Sequence, residues 1–148
     1  MDQFVDKLEW YLYLSHLAEL AVAFVLALPI GWDRERTARS AGLRTFPLVA
    51  VASCGFVIIG TDVGADNPDA LARVLYGLMT GIGFIGGGAI LKDGGSVRGT
   101  ATAASIWNTG AVGAAVGFQR YEIAIALSAV NFVILRVVKP FKAGATDD

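Results

Sequence analysis

Residues 12–32 read LYLSHLAELAVAFVLALPIGW, a mostly apolar run in which Glu19 is the single acidic residue and lysine and arginine are absent. A helix needs about 20 such residues to cross the roughly 30 Å hydrocarbon core of a bilayer. Four further runs approach that length, at residues 45–64, 70–91, 100–118 and 121–138. The sequence therefore predicts an all-α fold, an integral membrane bundle of about five transmembrane helices that forms a single domain over residues 1–148.

The composition agrees with a membrane protein whose main partner is the lipid bilayer. Of the 148 residues, 55% are hydrophobic and 17% are charged, whereas about a quarter of a typical soluble domain is charged. No stretch combines clustered lysine and arginine with aromatic residues, so nucleic acid is not an expected partner. Because the chain has one cysteine, Cys54, and one histidine, His16, we expect neither a cofactor nor a metal site of the usual Cys/His kind.

The basic residues predict how the bundle is oriented, since lysine and arginine near the ends of spans remain in the cytoplasm. Five spans place nine of the 12 basic residues on one side of the membrane: Arg34, Arg36, Arg39, Arg44, Lys92, Arg98, Arg136, Lys139 and Lys142. The other side holds Lys7, Arg73 and Arg120 with the acidic residues Asp62, Asp66 and Asp69. We therefore expect the N-terminus outside and the C-terminus in the cytoplasm.

The glycines of the third and fourth runs predict close helix packing. Residues 81–86 match the GxGxxG nucleotide-binding pattern, but that pattern requires a strand before it and a helix after it, and here it lies inside an apolar run. Small residues four apart instead let membrane helices approach closely. The glycines expected to pack in this way are Gly77, Gly81, Gly83, Gly86, Gly87, Gly113 and Gly117. Alternatively, residues 86–88 interrupt the helix at a functional break, as happens in transporters.

Four polar side chains fall inside the predicted spans, where polar groups are costly and often functional. His16 and Glu19 lie three residues apart on one helical face, while Asn108 and Asn131 lie in the fourth and fifth spans. One interpretation is that these residues hydrogen-bond to each other and fix the register of the helices. The other is that Glu19 lines a polar path for protons or cations. No span offers a convincing nucleophile–base pair, so we expect no enzyme and no catalytic residues.

The segment after the first span is the most highly charged part of the chain. It begins with Asp33, Arg34 and Glu35 and continues to Arg44, where the second span begins. It is either a solvated loop of the positive-inside type or a cytoplasmic mouth in which Asp33 and Glu35 hold a cation or an arginine. An arginine at the depth of Arg44 is costly unless its donors are satisfied. We therefore expect Arg44 to be partly buried and bonded to Asp33, Glu35 or a helix C-terminus.

Two sets of residues resemble the signatures of the MgtC/SapB family. The first signature runs through residues 30–35 and 39–45, with the matching positions Asp33, Arg34, Glu35, Gly42, Leu43, Arg44 and Thr45. The second runs through residues 80–88 and 97–107, with the matching positions Gly83, Gly86, Arg98, Gly99, Thr102 and Trp107. The resemblance covers roughly residues 12–118. The sequence departs from the family at Ala101, where relatives often have Thr or Asn, and at Asn108, where an apolar residue or Cys is common.

The resemblance implies a bacterial inner (plasma) membrane protein with several spans, mostly five in this family. It also implies a role in ion (magnesium) homeostasis or in regulating membrane energetics, through a membrane-protein partner or a second copy of the chain. The alternative is a small ion or solute transporter or channel with a polar path through the bundle. Several members carry a C-terminal domain of the ACT type, which we expect this chain, ending at Asp148, to lack.

Reporter fusions test the predicted orientation. A fusion after Gly64 should report the outside of the membrane and a fusion after Gly94 the cytoplasm, because the basic residues are concentrated on the side that contains Gly94. Alkaline phosphatase, which is active only outside, and a fluorescent protein that matures in the cytoplasm provide complementary readouts. The reverse pattern at both positions would contradict the orientation.

Overall fold

The structure, a computed structural model, describes residues 2–37, 41–65, 67–93 and 96–137. Within these ranges the helices are α1 (Asp2–Thr37), α2 (Thr45–Gly64), α3 (Pro68–Gly88), α4 (Thr100–Gly117) and α5 (Tyr121–Val137). Strands β1 (Leu91–Asp93) and β2 (Ser96–Arg98) form an antiparallel pair between α3 and α4. Several residues named in the sequence analysis lie outside the described residues: Arg39, Asp66, Gly94, Val138, Lys139 and Lys142.

The helical class of the predicted fold is confirmed, and the membrane character is supported by three helices. Residues Glu9–Thr37 of α1, together with α2 and α3, are long and apolar enough to cross a bilayer. The helices α4 and α5 contain 18 and 17 residues and are not among those three. Most residues of α4 are buried against other helices, and many of them are small or polar, which makes this helix less apolar than the candidate spans of α1, α2 and α3. The presence of five spans therefore stays a prediction.

Helix α4 occupies the centre of the bundle and contacts each of the other four helices. Its small residues permit this position. A Cβ atom added at Gly113 would overlap the carbonyl of Ala50, and one added at Gly117 would lie 2.8 Å from the carbonyl oxygen of Cys54. The backbones of α4 and α2 therefore meet directly, as small residues allow in membrane helix pairs.

Two apolar clusters fill the space around α4. One is built mainly from small residues of α1, α2, α4 and α5: Ala23, Ala27, Ala50, Cys54, Val112, Ala115, Val116 and Ala124. The other contains larger side chains and draws on all five helices: Ile30, Ala41, Phe46, Val49, Ile82, Ala89, Ile106 and Leu135. The second cluster contains Ile30, Ala41 and Phe46, which lie within or next to the first signature. The charged residues of that signature are therefore adjacent to an apolar cluster.

The prediction of glycine packing is correct for one part of the set and wrong for the other. Gly113 and Gly117 pack against α2, and a Cβ at Gly86 would lie 3.1 Å from the carbonyl oxygen of Ala103 in α4. By contrast, nothing lies within 4 Å of a Cβ at the other four predicted positions, all in α3: Gly77, Gly81, Gly83 and Gly87. The reason is that α3 lies at the edge of the bundle, where it packs mainly on α2 and α4 among the described helices, and these glycines are exposed.

The connection between α3 and α4 differs from the predicted one. Helix α3 remains helical through residues 86–88 and ends at Gly88, short of the predicted end at residue 91. The β1–β2 pair follows, with Leu91 opposite Arg98 and Asp93 opposite Ser96. Gly99 then precedes α4 with a φ of +89°, and a Cβ there would overlap the carbonyl of Ala89. Only glycine satisfies both the left-handed backbone and this close approach.

We predict that Gly113→Ala lowers the melting temperature of the detergent-purified protein. The added methyl group meets the backbone of α2, and overpacking of this kind costs about 1–3 kcal/mol. Gly87→Ala is the matched control, because it makes the same chemical change in a helix where the new atom meets open space. Equal melting of the two variants would show that the close approach of α4 to α2 is assigned wrongly.

Candidate functional site

The first signature centres on the carboxylate of Asp33, in the last turns of α1. Asp33 is only 4% exposed. Its Oδ2 accepts a hydrogen bond from Nη2 of Arg34 at 2.7 Å, and its Oδ1 forms an ion pair with Nε of Arg136 at 3.0 Å. Arg136 lies in the last turn of α5. The carboxylate therefore joins the end of α1 to the end of α5, and we refer to Asp33, Arg34 and Arg136 as the Asp33 clamp.

The clamp places one negative charge between two positive charges. Burying a carboxylate is costly unless it is paired and hydrogen-bonded, and each oxygen of Asp33 is paired with an arginine here. Arg34 is buried beside it, and its Nε has no hydrogen-bond partner among the described residues. Arg136 is 53% exposed and lies over the ring of Phe132, with 5.4 Å from its guanidinium carbon to the ring centroid. The clamp thus carries a net positive charge that is accessible on its Arg136 side.

Glu35 holds the segment that follows α1. Its Oε2 accepts a hydrogen bond from the backbone N–H of Leu43 at 2.9 Å. A Cβ on Gly42 would overlap this carboxylate, so glycine at position 42 leaves the space that Glu35 occupies. The carbonyl of Gly42 in turn accepts from the N–H of Thr45 at 3.0 Å, where α2 begins. Glu35 and Gly42 thereby fix the point at which the chain enters α2.

Arg44 does not behave as the sequence suggested. It is exposed, and it forms no ion pair with any carboxylate of the described residues. The expectation of a partly buried Arg44 bonded to Asp33 or Glu35 is wrong, because Arg34 and Arg136 occupy Asp33 and the N–H of Leu43 occupies Glu35. Asp33 also pairs with an arginine from outside the first signature, Arg136. From the sequence, Arg136 was predicted only as one of the cytoplasmic basic residues. The alternation of five spans contained a signal for it, since the ends of α1 and α5 must then face the same side.

The second signature contributes structure near the same end of the bundle. Gly99 immediately precedes α4, and Thr102, in the first turn of that helix, is buried. Arg98 and Trp107 are exposed. These four residues do not converge on a single cavity in the structure. Their arrangement instead defines how α4 begins and which of its faces points outward.

The polar residues inside the bundle each bond to a different element. Oε1 of Glu19, which is 5% exposed, accepts a hydrogen bond at 2.9 Å from the side chain of Gln119, between α4 and α5. Asn108 donates to the carbonyl of Leu127 at 3.2 Å. Oδ1 of Asn131 accepts from the Ser105 hydroxyl at 3.0 Å. The interpretation that these residues bond to each other is therefore wrong in its pairing, but each bond does connect one helix to another element.

His16, the fourth of the predicted polar residues, is half-buried on α1. No hydrogen bond joins it to Glu19 in the structure, so the two side chains do not form a dyad. Among the described residues, no group of three or more His, Cys, Asp or Glu side chains is placed to hold a metal ion. Of the four predicted polar residues, Glu19, Asn108 and Asn131 thus each bond to a different element.

A small cleft with a mainly apolar lining and three polar side chains opens between α4 and α5. Its volume is about 220 Å³, and its polar lining consists of Ser105, Asn108 and Asn131. Ala101 and Ala104 line it too and are exposed, so the cleft faces the outside of the bundle. Glu19 does not line this cleft. An amide at the surface of a membrane helix is suited to a hydrogen bond with a neighbouring helix.

Comparison with known proteins places these features in one family. The sequence profile of the MgtC family matches residues 20–143. The chain is 45% identical over 105 residues to Protein MgtC of Brucella abortus, covering 70% of this chain and 43% of that protein. It is 33% identical over 122 residues to Protein MgtC of Salmonella typhimurium, covering 82% of this chain and 52% of that protein.

An uncharacterized protein of Synechocystis is 37% identical over 133 residues, which is 90% of this chain and 55% of that protein. The chain thus spans about half the length of the curated relatives it matches. No solved structure matches the chain significantly.

We predict that Asp33→Asn destabilises the protein by about 2–3 kcal/mol, because it leaves Arg34 buried without a counter-charge and removes the ion pair with Arg136 of α5. The control is Glu122→Gln, which removes a carboxylate that is 3.0 Å from Nε of Arg120. Arg120 and Glu122 are 64% and 67% exposed, so their pair contributes about 0–1 kcal/mol. Thermal melting in detergent measures both variants. A control that loses as much stability as Asp33→Asn would contradict the special position of the clamp.

Proposed function

Because the chain belongs to the MgtC family, we propose that it is a bacterial inner-membrane protein that regulates ion homeostasis, magnesium in particular, or membrane energetics. In this proposal it crosses the membrane five times, with the N-terminus outside and the C-terminus in the cytoplasm. It acts by binding a membrane-protein partner rather than by catalysing a reaction. The observation that carries the proposal is how the bundle uses its polar side chains.

Several polar side chains of the described bundle bond to a different element, each at a separate place. Glu19 bonds to Gln119 near the middle of α1, and Asp33 forms an ion pair with Arg136 near its C-terminal end. Between them, the Ser128 hydroxyl donates to the carbonyl of Leu26 at 2.6 Å. Groups that serve conduction need a shared water-accessible cavity. Side-chain bonds that join different elements at separate places favour a rigid bundle that acts through its surface.

The cleft between α4 and α5 is the surface that we assign to the partner. Asn108 is half-buried in it and uses its Nδ2 for the carbonyl of Leu127. Its Oδ1 accepts no hydrogen bond from any described residue, so it is available to a donor on a neighbouring helix. In hydrocarbon, where water is absent, such a bond favours association. The partner is therefore a membrane helix that carries a hydrogen-bond donor at the depth of Asn108.

A second candidate function is transport of protons or cations. The observation in its favour is Glu19, an acidic residue buried inside the bundle with one described hydrogen-bond donor. Intramembrane acidic residues often mark ion pathways. Flux through purified protein separates this candidate from the regulatory one.

The decisive variant is Asn108→Ala, tested for rescue of growth at low magnesium in a strain that lacks the protein. We expect this variant to lose rescue, because it removes the side-chain oxygen that accepts the hydrogen bond from the partner helix. We also expect it to melt within a few degrees of the wild type. Ser128→Ala is the control, since it also deletes one hydrogen bond between helices but lies away from the cleft. We expect it to rescue growth.

Two outcomes contradict the proposal. The first is full rescue by Asn108→Ala. The second is a flux of Mg²⁺, Na⁺, K⁺ or H⁺ through wild-type proteoliposomes above that of empty vesicles, which Glu19→Gln abolishes. The second outcome would establish the transport candidate in place of the regulatory one.

A further inference from the structure

The exposed glycines of α3 border a groove that the proposed function does not use. The groove lies between α2 and α3 and has a volume of about 610 Å³. Gly77 and Gly81 form part of its wall, and because nothing lies within 4 Å of their missing side chains, the space beside them stays open. Its other walls are mainly apolar, with Phe56 on α2 and Leu78 on α3. The Ser53 hydroxyl in the wall is already bonded to the carbonyl of Val49 at 2.7 Å.

The groove has the length of one leaflet of a bilayer. It extends along α3 from Arg73 to Ile85, which lie about 18 Å apart along the helix at 1.5 Å rise per residue. Half of a hydrocarbon core of roughly 30 Å is about 15 Å. A single acyl chain that enters at the Arg73 end would therefore reach the middle of the membrane at the other end.

Arg73 supplies a positive charge at the mouth of the groove. It lies little more than one turn after the start of α3 at Pro68 and is exposed. No carboxylate of the described residues lies within 4.0 Å of its guanidinium, whereas Arg120, predicted on the same side of the membrane, is paired with Glu122. Guanidinium groups bind phosphate with two parallel hydrogen bonds. We infer that the groove binds one anionic phospholipid, with an acyl chain along Gly77 and Gly81 and the phosphate at Arg73.

A second copy of α3 fits the same face less well. Glycines four apart do suit a close pair of helices. However, Phe84 follows Gly81 by three residues on the same face and is 85% exposed, so its ring holds a rigid helix away. Arg73 precedes Gly77 by four residues on that face, and a close helix pair would bury its charge. A flexible acyl chain bends past the ring and leaves the guanidinium at the membrane surface.

Native mass spectrometry of the detergent-purified full chain, with added phosphatidylglycerol or phosphatidylethanolamine of identical acyl chains, tests this inference. We expect wild type to retain one phosphatidylglycerol and to bind phosphatidylethanolamine more weakly. Arg73→Gln, which removes the phosphate contact, and Gly77→Leu, which fills the groove, should each weaken phosphatidylglycerol binding about tenfold. All these positions are exposed, so the variants should fold, and melting in detergent checks this.

Two matched controls accompany the variants. Arg120→Gln removes a cation that is already paired, and Gly87→Leu adds the same side chain to α3 at an exposed position outside the groove. Both should bind phosphatidylglycerol as wild type does. The inference is overturned if Arg73→Gln retains full binding, if wild type binds the two lipids equally, or if Gly77→Leu abolishes a dimer instead of a lipid adduct. Because none of these readouts involves Asn108, their failure is separate from failure of the proposed function.

Discussion

The carboxylate of Asp33 has to be neutralised where it lies, because it is buried at the end of α1 above an apolar cluster drawn from all five helices. Arg34 provides one charge from the same helix, and Arg136 provides the other from the end of α5. This requirement brings the first and last helices together at that end. Around the same turn of α1, Glu35 and Gly42 set the start of α2, so the first signature determines how three helices are arranged.

The other constraint on the bundle is that α4 carries small residues where it contacts its neighbours. Gly113 and Gly117 allow its backbone to contact that of α2, which gives α4 room to touch every other helix. Gly99 lets the chain turn into α4 directly after the β1–β2 pair. The second signature therefore encodes the entry into the central helix, Gly113 and Gly117 encode its packing on α2, and the first signature encodes the closure of the bundle around it. Function is then left to the surfaces that these constraints do not use, namely the α4–α5 cleft and the α2–α3 groove.

The sequence predicted the helices well, because runs of apolar residues bounded by charged or turn-forming residues have few alternative structures. The starts of α2, α4 and α5 lie at the predicted residues 45, 100 and 121. The β1–β2 pair was missed, although Gly94 and Gly95 between Asp93 and Ser96 are a known hairpin signal. Contacts between distant residues were harder to predict: nothing local to Asp33 indicates Arg136. Likewise, a glycine pattern shows that a helix face carries small residues, but it does not show whether a neighbouring helix covers that face. For this reason the packing prediction is correct for Gly113 and wrong for Gly77 and Gly81.

The central claim is that the charge of Asp33 is coupled to that of Arg136, and a double-mutant cycle tests it most directly. Free energies of unfolding in detergent would be measured for wild type, Asp33→Asn, Arg136→Gln and the double variant. The account predicts that the double variant is less destabilised than the sum of the single variants by about 1 kcal/mol or more, within the range found for residues in contact. Additivity within about 0.3 kcal/mol would mean that the two residues act independently, and it would contradict the claim that Asp33 closes the bundle.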